Sequence, residues 1–300
     1  MYVNKIWMVF GLLIIFVGPN PGQVPVFDQM HAFSYLEIQC AFGPRNPGST
    51  GHDKCLEFFT DELKKYTSQV ERQPFQMLVP GDSQMHQCTN VLASFGRQSK
   101  RLLLCAHWDT RPWADHDPDP ENRDTPISGA NDGASGVAVL LELANILKSH
   151  PAPIGIDLVL FDAEDAGLDG QPETWCLGSK HFAKSGWLRV FPQYAILLDL
   201  IGDRHLSLPV EYYSDQYAPR YVDMIWSRAE DLGMTAFRRS DGPAVIDDHL
   251  SLLKIGIPTV DIIDFDYTYW HTIEDTPDKC SPESLGVVGT VLVHLIYNPE

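Results

Sequence analysis

Residues 156–165 read IDLVLFDAED. An apolar run too short for a helix ends abruptly in Asp162, Glu164 and Asp165. Such a run has the length of a strand covered on both faces, as in a parallel sheet. The same grammar recurs along the chain. Residues 101–106 (RLLLCA) run into His107–Trp108–Asp109, residues 194–198 (YAILL) into Asp199, and residues 257–263 into a loop that ends Trp270–His271–Thr272. Between these strands lie helical stretches. Residues 133–147 (GASGVAVLLELANIL) are apolar nearly all round and therefore buried. Residues 217–232 and 282–296 read as further helices, and 51–66 as one capped by Ser49 or Thr50. Residues 89–95 and 101–106 read as two strands joined by a short polar turn at 96–100. Strands alternating with helices predict an α/β fold: one doubly wound, mixed but mostly parallel sheet with helices on both faces. No repeat and no linker divides residues 28–300, which read as a single domain.

Composition narrows the partners. The 300 residues carry 40 acidic and 22 basic side chains, a formal charge of −18. That balance argues against a nucleic-acid partner, whose phosphates require a basic footprint, and none is expected. Near the N-terminus, Lys5 precedes an unbroken apolar run at residues 6–17 (IWMVFGLLIIFV), closed by Gly18 and Pro19. Twelve residues are short for a bilayer span and fit the core of a secretory signal. Residues 1–22 are therefore expected to be a signal peptide or N-terminal anchor, with the remainder exported: secreted, periplasmic or anchored facing outward. Any membrane contact is expected only through that anchor. Six cysteines, at 40, 55, 88, 105, 176 and 280, permit disulfides in such a compartment. Without a C-x-x-C pair, a thiolate zinc site is not expected.

In open α/β sheets ligands gather beyond the carboxyl ends of the strands. Those ends carry His107 and Asp109, Glu164 and Asp165, Asp199, and His271, while Asp132 stands just ahead of the buried helix. Singly, each has a bland reading. An Asp before a Gly is usually a helix cap, and an acidic pair after a strand is usually solvated. Jointly they place two histidines and several carboxylates at one sheet edge, a donor set that suits zinc. The acidic run at 115–119 reads as a solvated loop, and Trp108, Trp113, Trp175 and Trp270 as loop tryptophans near the strand ends.

His107-x-Asp109, the segment 129–136 (GANDGASG), Glu164–Asp165, Asp199 and His271 resemble, in order and spacing, the co-catalytic zinc aminopeptidase family. Within it the chain most resembles the zinc glutaminyl cyclases, through residues 197–202 (LLDLIG), Asp247–Asp248–His249 and Trp270–His271–Thr272. Residues 42–49 (FGPRNPGS) and 107–112 (HWDTRP) are similar to bacterial-type members.

The resemblance implies a role for each residue. Asp132, Asp165 and His271 hold one zinc; Glu164 is the general base and acid; Trp270 walls the pocket for a glutamine side chain. His107 and Asp199 hold a second zinc in dinuclear peptidases. In animal-type cyclases one zinc suffices, and the acids matching Asp199 and Asp247 share a hydrogen-bonded network around the catalytic Glu. One zinc is expected, with two the alternative. The implied reaction is cyclisation of the N-terminal glutamine of peptides or proteins to pyroglutamate, with loss of ammonia. Removal of N-terminal residues by a zinc aminopeptidase is the alternative. Two positions depart from the animal-type pattern: Asp165 stands where those cyclases carry Glu, and Gly170 where they carry a tryptophan.

Overall fold

The computed structural model describes residues 24–80 and 83–299. The proposed leader, residues 1–22, lies outside the described residues. No helix among the described residues is long and apolar enough to cross a membrane.

In chain order, helices α1 (Gln29–Ala41) and α2 (Thr50–Tyr66) precede strands β1 (Val70–Leu78), β2 (Met85–Phe95) and β3 (Arg101–His107). Then come α3 (Ala134–Ser149), β4 (Gly155–Phe161), α4 (Leu177–Ser185), β5 (Tyr194–Asp199) and β6 (Leu208–Val210). The chain continues with α5 (Tyr212–Tyr217), α6 (Pro219–Asp231), β7 (Phe237–Asp241), α7 (His249–Lys254), β8 (Thr259–Ile263) and α8 (Pro282–Tyr297). Ser49 is the N-cap of α2, its hydroxyl accepting the His52 N–H. The expected helix 217–232 begins instead at Pro219, whose fixed φ and missing N–H suit a first helical position.

Six strands form one sheet in the order β1-β2-β4-β3-β5-β8, while β6 and β7 pair apart. The pairs β4/β3, β3/β5 and β5/β8 are parallel, and β1/β2 and β2/β4 antiparallel. This is the mixed, mostly parallel α/β sheet that the sequence predicts. The turn at 96–100 does not make neighbours of β2 and β3, because β4 runs between them. Asp157 of β4 explains the insertion: its carboxylate accepts Arg101 Nε at 2.6 Å from one side and Ser94 Oγ at 2.6 Å from the other.

Side chains alternate across the central strands, as the pleat requires. Leu102, Leu104 and Ala106 of β3 join a core with α1, α2, α3, α6 and α8. Leu103 and Cys105 point the other way, to Phe182 of α4 and Leu252 of α7. Both faces are thus covered, which is why these strands read as continuous apolar runs. The chain leaves β3 to reach β4 on one side, then crosses to β5 on the other. The carboxyl end of β3, at His107, therefore lies at the switch point where such sheets bind ligands.

Candidate active site

Four backbone irregularities mark the site. Among the described residues, the non-glycine positions with positive φ are Ala163, Cys176, Leu200 and His271. Ala163 precedes Glu164, Leu200 follows Asp199, and Cys176 and His271 are themselves site residues. Left-handed backbone at such positions is held only where the surroundings over-determine it.

At the end of β3, His107 Nε2 lies 3.1 Å from Asp199 Oδ1 and 3.2 Å from Asp132 Oδ1. At the end of β8's following loop, His271 Nε2 lies 3.1 Å from Asp165 Oδ1 and 3.7 Å from Asp132 Oδ2. Asp132 thus faces both histidines, one with each oxygen. Two overlapping donor sets result, His107–Asp132–Asp199 and Asp132–Asp165–His271. Asp132 is not spent as a helix cap, since Gly133 takes the N-cap of α3. Its backbone N–H, with that of Asn131, is instead held by the Asp275 carboxylate at 3.1 and 2.9 Å.

These donors fit a zinc ion. Both oxygens of Asp165 and Oδ2 of Asp132 are buried without a hydrogen-bond partner. A buried carboxylate in that condition needs a cation or a proton. Carboxylates alone would also suit calcium or magnesium; the imidazole, a borderline donor, is what selects zinc.

A second layer orients the donors. Asp109, buried behind His107, accepts the N–H groups of Glu164 and Asp165 at 3.0 and 3.2 Å. Arg111 donates to the Asp165 and Gly167 carbonyls at 3.0 and 3.1 Å and grips both oxygens of Asp115. Asp115 in turn lies 3.3 Å from His271 Nδ1, which leaves Nε2 facing the carboxylates. This carboxylate–histidine arrangement is the usual outer support of a metal ligand. Sequence reasoning misplaced it: the 115–119 run is not a free solvated loop. Asp115 is engaged as described, and buried Asp117 accepts the N–H of Ile273 at 3.1 Å. No local pattern signals it, because Arg111 and Asp115 meet within a loop that forms no helix.

Glu164 stands outside both donor sets. Its Oε1 accepts the Cys176 thiol at 3.3 Å, and Asp247 is close by. Burial, followed by the Asp247 and Asp165 charges, pushes Glu164 well above the ordinary carboxylate range, against the pull of His107. Burial and then Asp199 raise Asp247 to about 7. Asp247 Oδ1 accepts the Asp248 N–H at 2.5 Å, and Asp199 pairs with His107. The hydrogen-bonded network expected of the two acids is therefore not formed among the described residues: no hydrogen bond joins them, and Asp199 acts on Asp247 through its charge.

An aromatic wall borders the donors. The Trp270 ring stacks on His271 with centroids 3.7 Å apart, and the Trp175 ring lies parallel to the same imidazole at 6.1 Å. Arg111 packs over Trp175 at 4.6 Å, fixing it there. Trp175 and Trp270 both line a cleft of about 290 Å³ with Val245, Phe265 and Asp169. Trp175, in the loop that also holds Gly170, therefore supplies a second aromatic face beside His271. Trp108, by contrast, is wholly buried, with His52 stacked on it at 4.4 Å. All six cysteines are free thiols, so the disulfides that an even count permits are not formed.

Residues 90–296 match the model of peptidase family M28. Glutaminyl cyclase from Bacteroides thetaiotaomicron, solved with N-acetylhistamine, superposes with a TM-score of 0.89 at 35% identity, covering 93% of this chain and 100% of that one. A Zn-dependent exopeptidase from Parabacteroides distasonis superposes with a TM-score of 0.88 at 38% identity, over 92% of this chain and 100% of the other. Glutaminyl-peptide cyclotransferase from the snake Boiga irregularis is 24% identical over 284 residues, spanning 83% of this chain and 75% of its own length. The chain belongs to peptidase family M28, and within it to the bacterial-type glutaminyl cyclases.

Proposed function

We propose that the chain converts the N-terminal glutamine of peptides or proteins to pyroglutamate and releases ammonia. The arrangement of Glu164 carries this reading. It is a buried carboxyl, outside the two donor sets, beside one of them and below an aromatic wall.

Asp132, Asp165 and His271 would hold one zinc, which when bound polarises the glutamine γ-carbonyl as a Lewis acid. Glu164 takes a proton from the substrate's α-amine as its nitrogen bonds to the side-chain carboxamide carbon, Cδ. The same carboxyl returns that proton as the carbon–nitrogen bond to ammonia breaks. A carboxyl lifted towards neutrality suits both transfers. Burial, with the charges of Asp247 and Asp165, keeps Glu164's proton affinity high. Trp270 and Trp175 restrict the side chain to folded conformers, which replaces an entropic cost of ring closure with binding. They also exclude water, which would otherwise deamidate glutamine to glutamate.

His107 and Asp199 would complete a second zinc site in the related peptidase chemistry. One zinc at Asp132, Asp165 and His271 is our reading here, because both oxygens of Asp165 and Oδ2 of Asp132 are buried without a hydrogen-bond partner, whereas no Asp199 oxygen is left in that condition. The substrates are peptides, no nucleic acid takes part, and residues 1–22 direct the protein out of the cytoplasm, where such substrates are met. Mass analysis of products from a Gln-peptide and a Leu-peptide tests the reaction. Loss of ammonia from the first and no change in the second is the expected result. Release of a free amino acid, with two zincs per chain, would establish the aminopeptidase instead.

A further inference from the structure

Three side chains beside the zinc donors form a cluster that neither donor set uses. Glu164, Cys176 and Asp247 are only 8%, 2% and 3% exposed. They bring one carboxylate oxygen, one sulfur and a second carboxylate oxygen within 4.8 Å of one another. Cys176 Sγ is already 3.3 Å from Glu164 Oε1. The third member points in unspent: Asp247 Oδ2 is buried with no hydrogen-bond partner, while its Oδ1 takes the Asp248 N–H. Both oxygens of the adjacent, fully buried Asp248 are unpartnered as well. Left-handed backbone at Cys176 (φ 54°) fixes its position.

We propose that Glu164, Cys176 and Asp247 form a separate site for a thiophilic divalent cation, cadmium or zinc in excess, whose occupation stops the enzyme. One sulfur and two carboxylate oxygens favour such ions over magnesium or calcium, which take oxygen ligands alone. Binding forms a metal–sulfur bond and breaks the Cys176 S–H bond; the proton leaves to solvent and no electron is transferred. The cation then occupies the carboxyl that would carry the substrate's proton. Inhibition, unlike binding itself, rests on the role proposed above for Glu164.

The test is a titration of the full-length, zinc-loaded protein with cadmium chloride. Wild type should bind one cadmium more than Cys176→Ala, with a thiolate-to-cadmium charge-transfer band in the ultraviolet that Cys176→Ala and Cys176→Ser both lack. Asp247→Asn keeps the thiol and should bind at least about tenfold more weakly, the smaller end of what even outer-shell changes cost a metal site. Turnover of a Gln-peptide should fall in step with the band and return when the added cadmium is dialysed away and one equivalent of zinc per chain is restored. Equal uptake and equal absorbance in wild type and Cys176→Ala would overturn the site. Cadmium bound at Cys176 with turnover unchanged would overturn the inhibition. Absence of pyroglutamate before any cadmium is added would count against the proposed reaction alone, and the stoichiometry would still decide the site.

Discussion

Glu164 and Asp165 are neighbours in sequence with opposite assignments, and the difference is one of direction. Asp165 turns towards His271 Nε2, and Glu164 towards Cys176 and Asp247. Glu164→Gln should therefore retain zinc by elemental analysis while turnover falls about 10²–10⁴-fold, the range for a lost general base. Loss of zinc together with the carboxylate would exchange the roles of the two residues. Asp115 acts at one remove, through His271 Nδ1 and Arg111. Asp115→Asn should weaken zinc binding about 10–100-fold in a chelator competition, as outer partners of metal ligands do. Unaltered affinity would make Asp115 a support for Arg111 only. The strand-end residues were legible because strands end where apolar runs end. Asp115 and Cys176 were not, because their contacts are made by loops whose path no local pattern encodes.

At the scale of elements, α3 and β5 are drawn together by a missing side chain. Gly136 lies in the first turn of α3, and a Cβ there would stand 2.4 Å from the Leu198 carbonyl oxygen and 2.8 Å from the Ala106 Cβ. The backbone oxygen has no rotamer with which to yield. Gly136→Ala should thus destabilise the fold by about 1–3 kcal/mol, the usual cost of overpacking. It should also lower turnover, since α3 carries Asp132 at its head and β5 carries Asp199 at its tip. Unchanged denaturation midpoint and turnover would show that the helix can retreat without disturbing either. The buried strands β3, β4, β5 and β8 could be read in the sequence because both their faces are apolar. Edge strand β1 could not: VERQPFQML contains Pro74 and is largely exposed, so it has little apolar signal. Nor could the insertion of β4 between β2 and β3. That pairing depends on Asp157 meeting Arg101 and Ser94, a contact between strands and not a property of any one of them.

For the molecule as a whole, several of its acids are buried together where the sheet ends. Asp109, Asp132, Asp165, Asp247 and Asp275 are all buried there, with His107, His271 and the Arg111 guanidinium set among them. Burial raises Asp165 to about 6 and Asp275 to about 7, a sign that water alone does not satisfy them. A cation that binds the folded chain and not the unfolded one therefore contributes directly to stability. The gain is about 2.7 kcal/mol when free ligand stands at 100 times its dissociation constant. Stripping zinc with a chelator should then lower the thermal midpoint at neutral pH by roughly 5 °C or more. Restoring zinc, but not magnesium, should recover it, because the imidazole donors discriminate against magnesium. The measurement pairs a melting curve with metal analysis of the same sample. A protein shown to be metal-free yet melting at its original temperature would mean that the acids are neutralised by their own protons, and that zinc serves the reaction without supporting the fold.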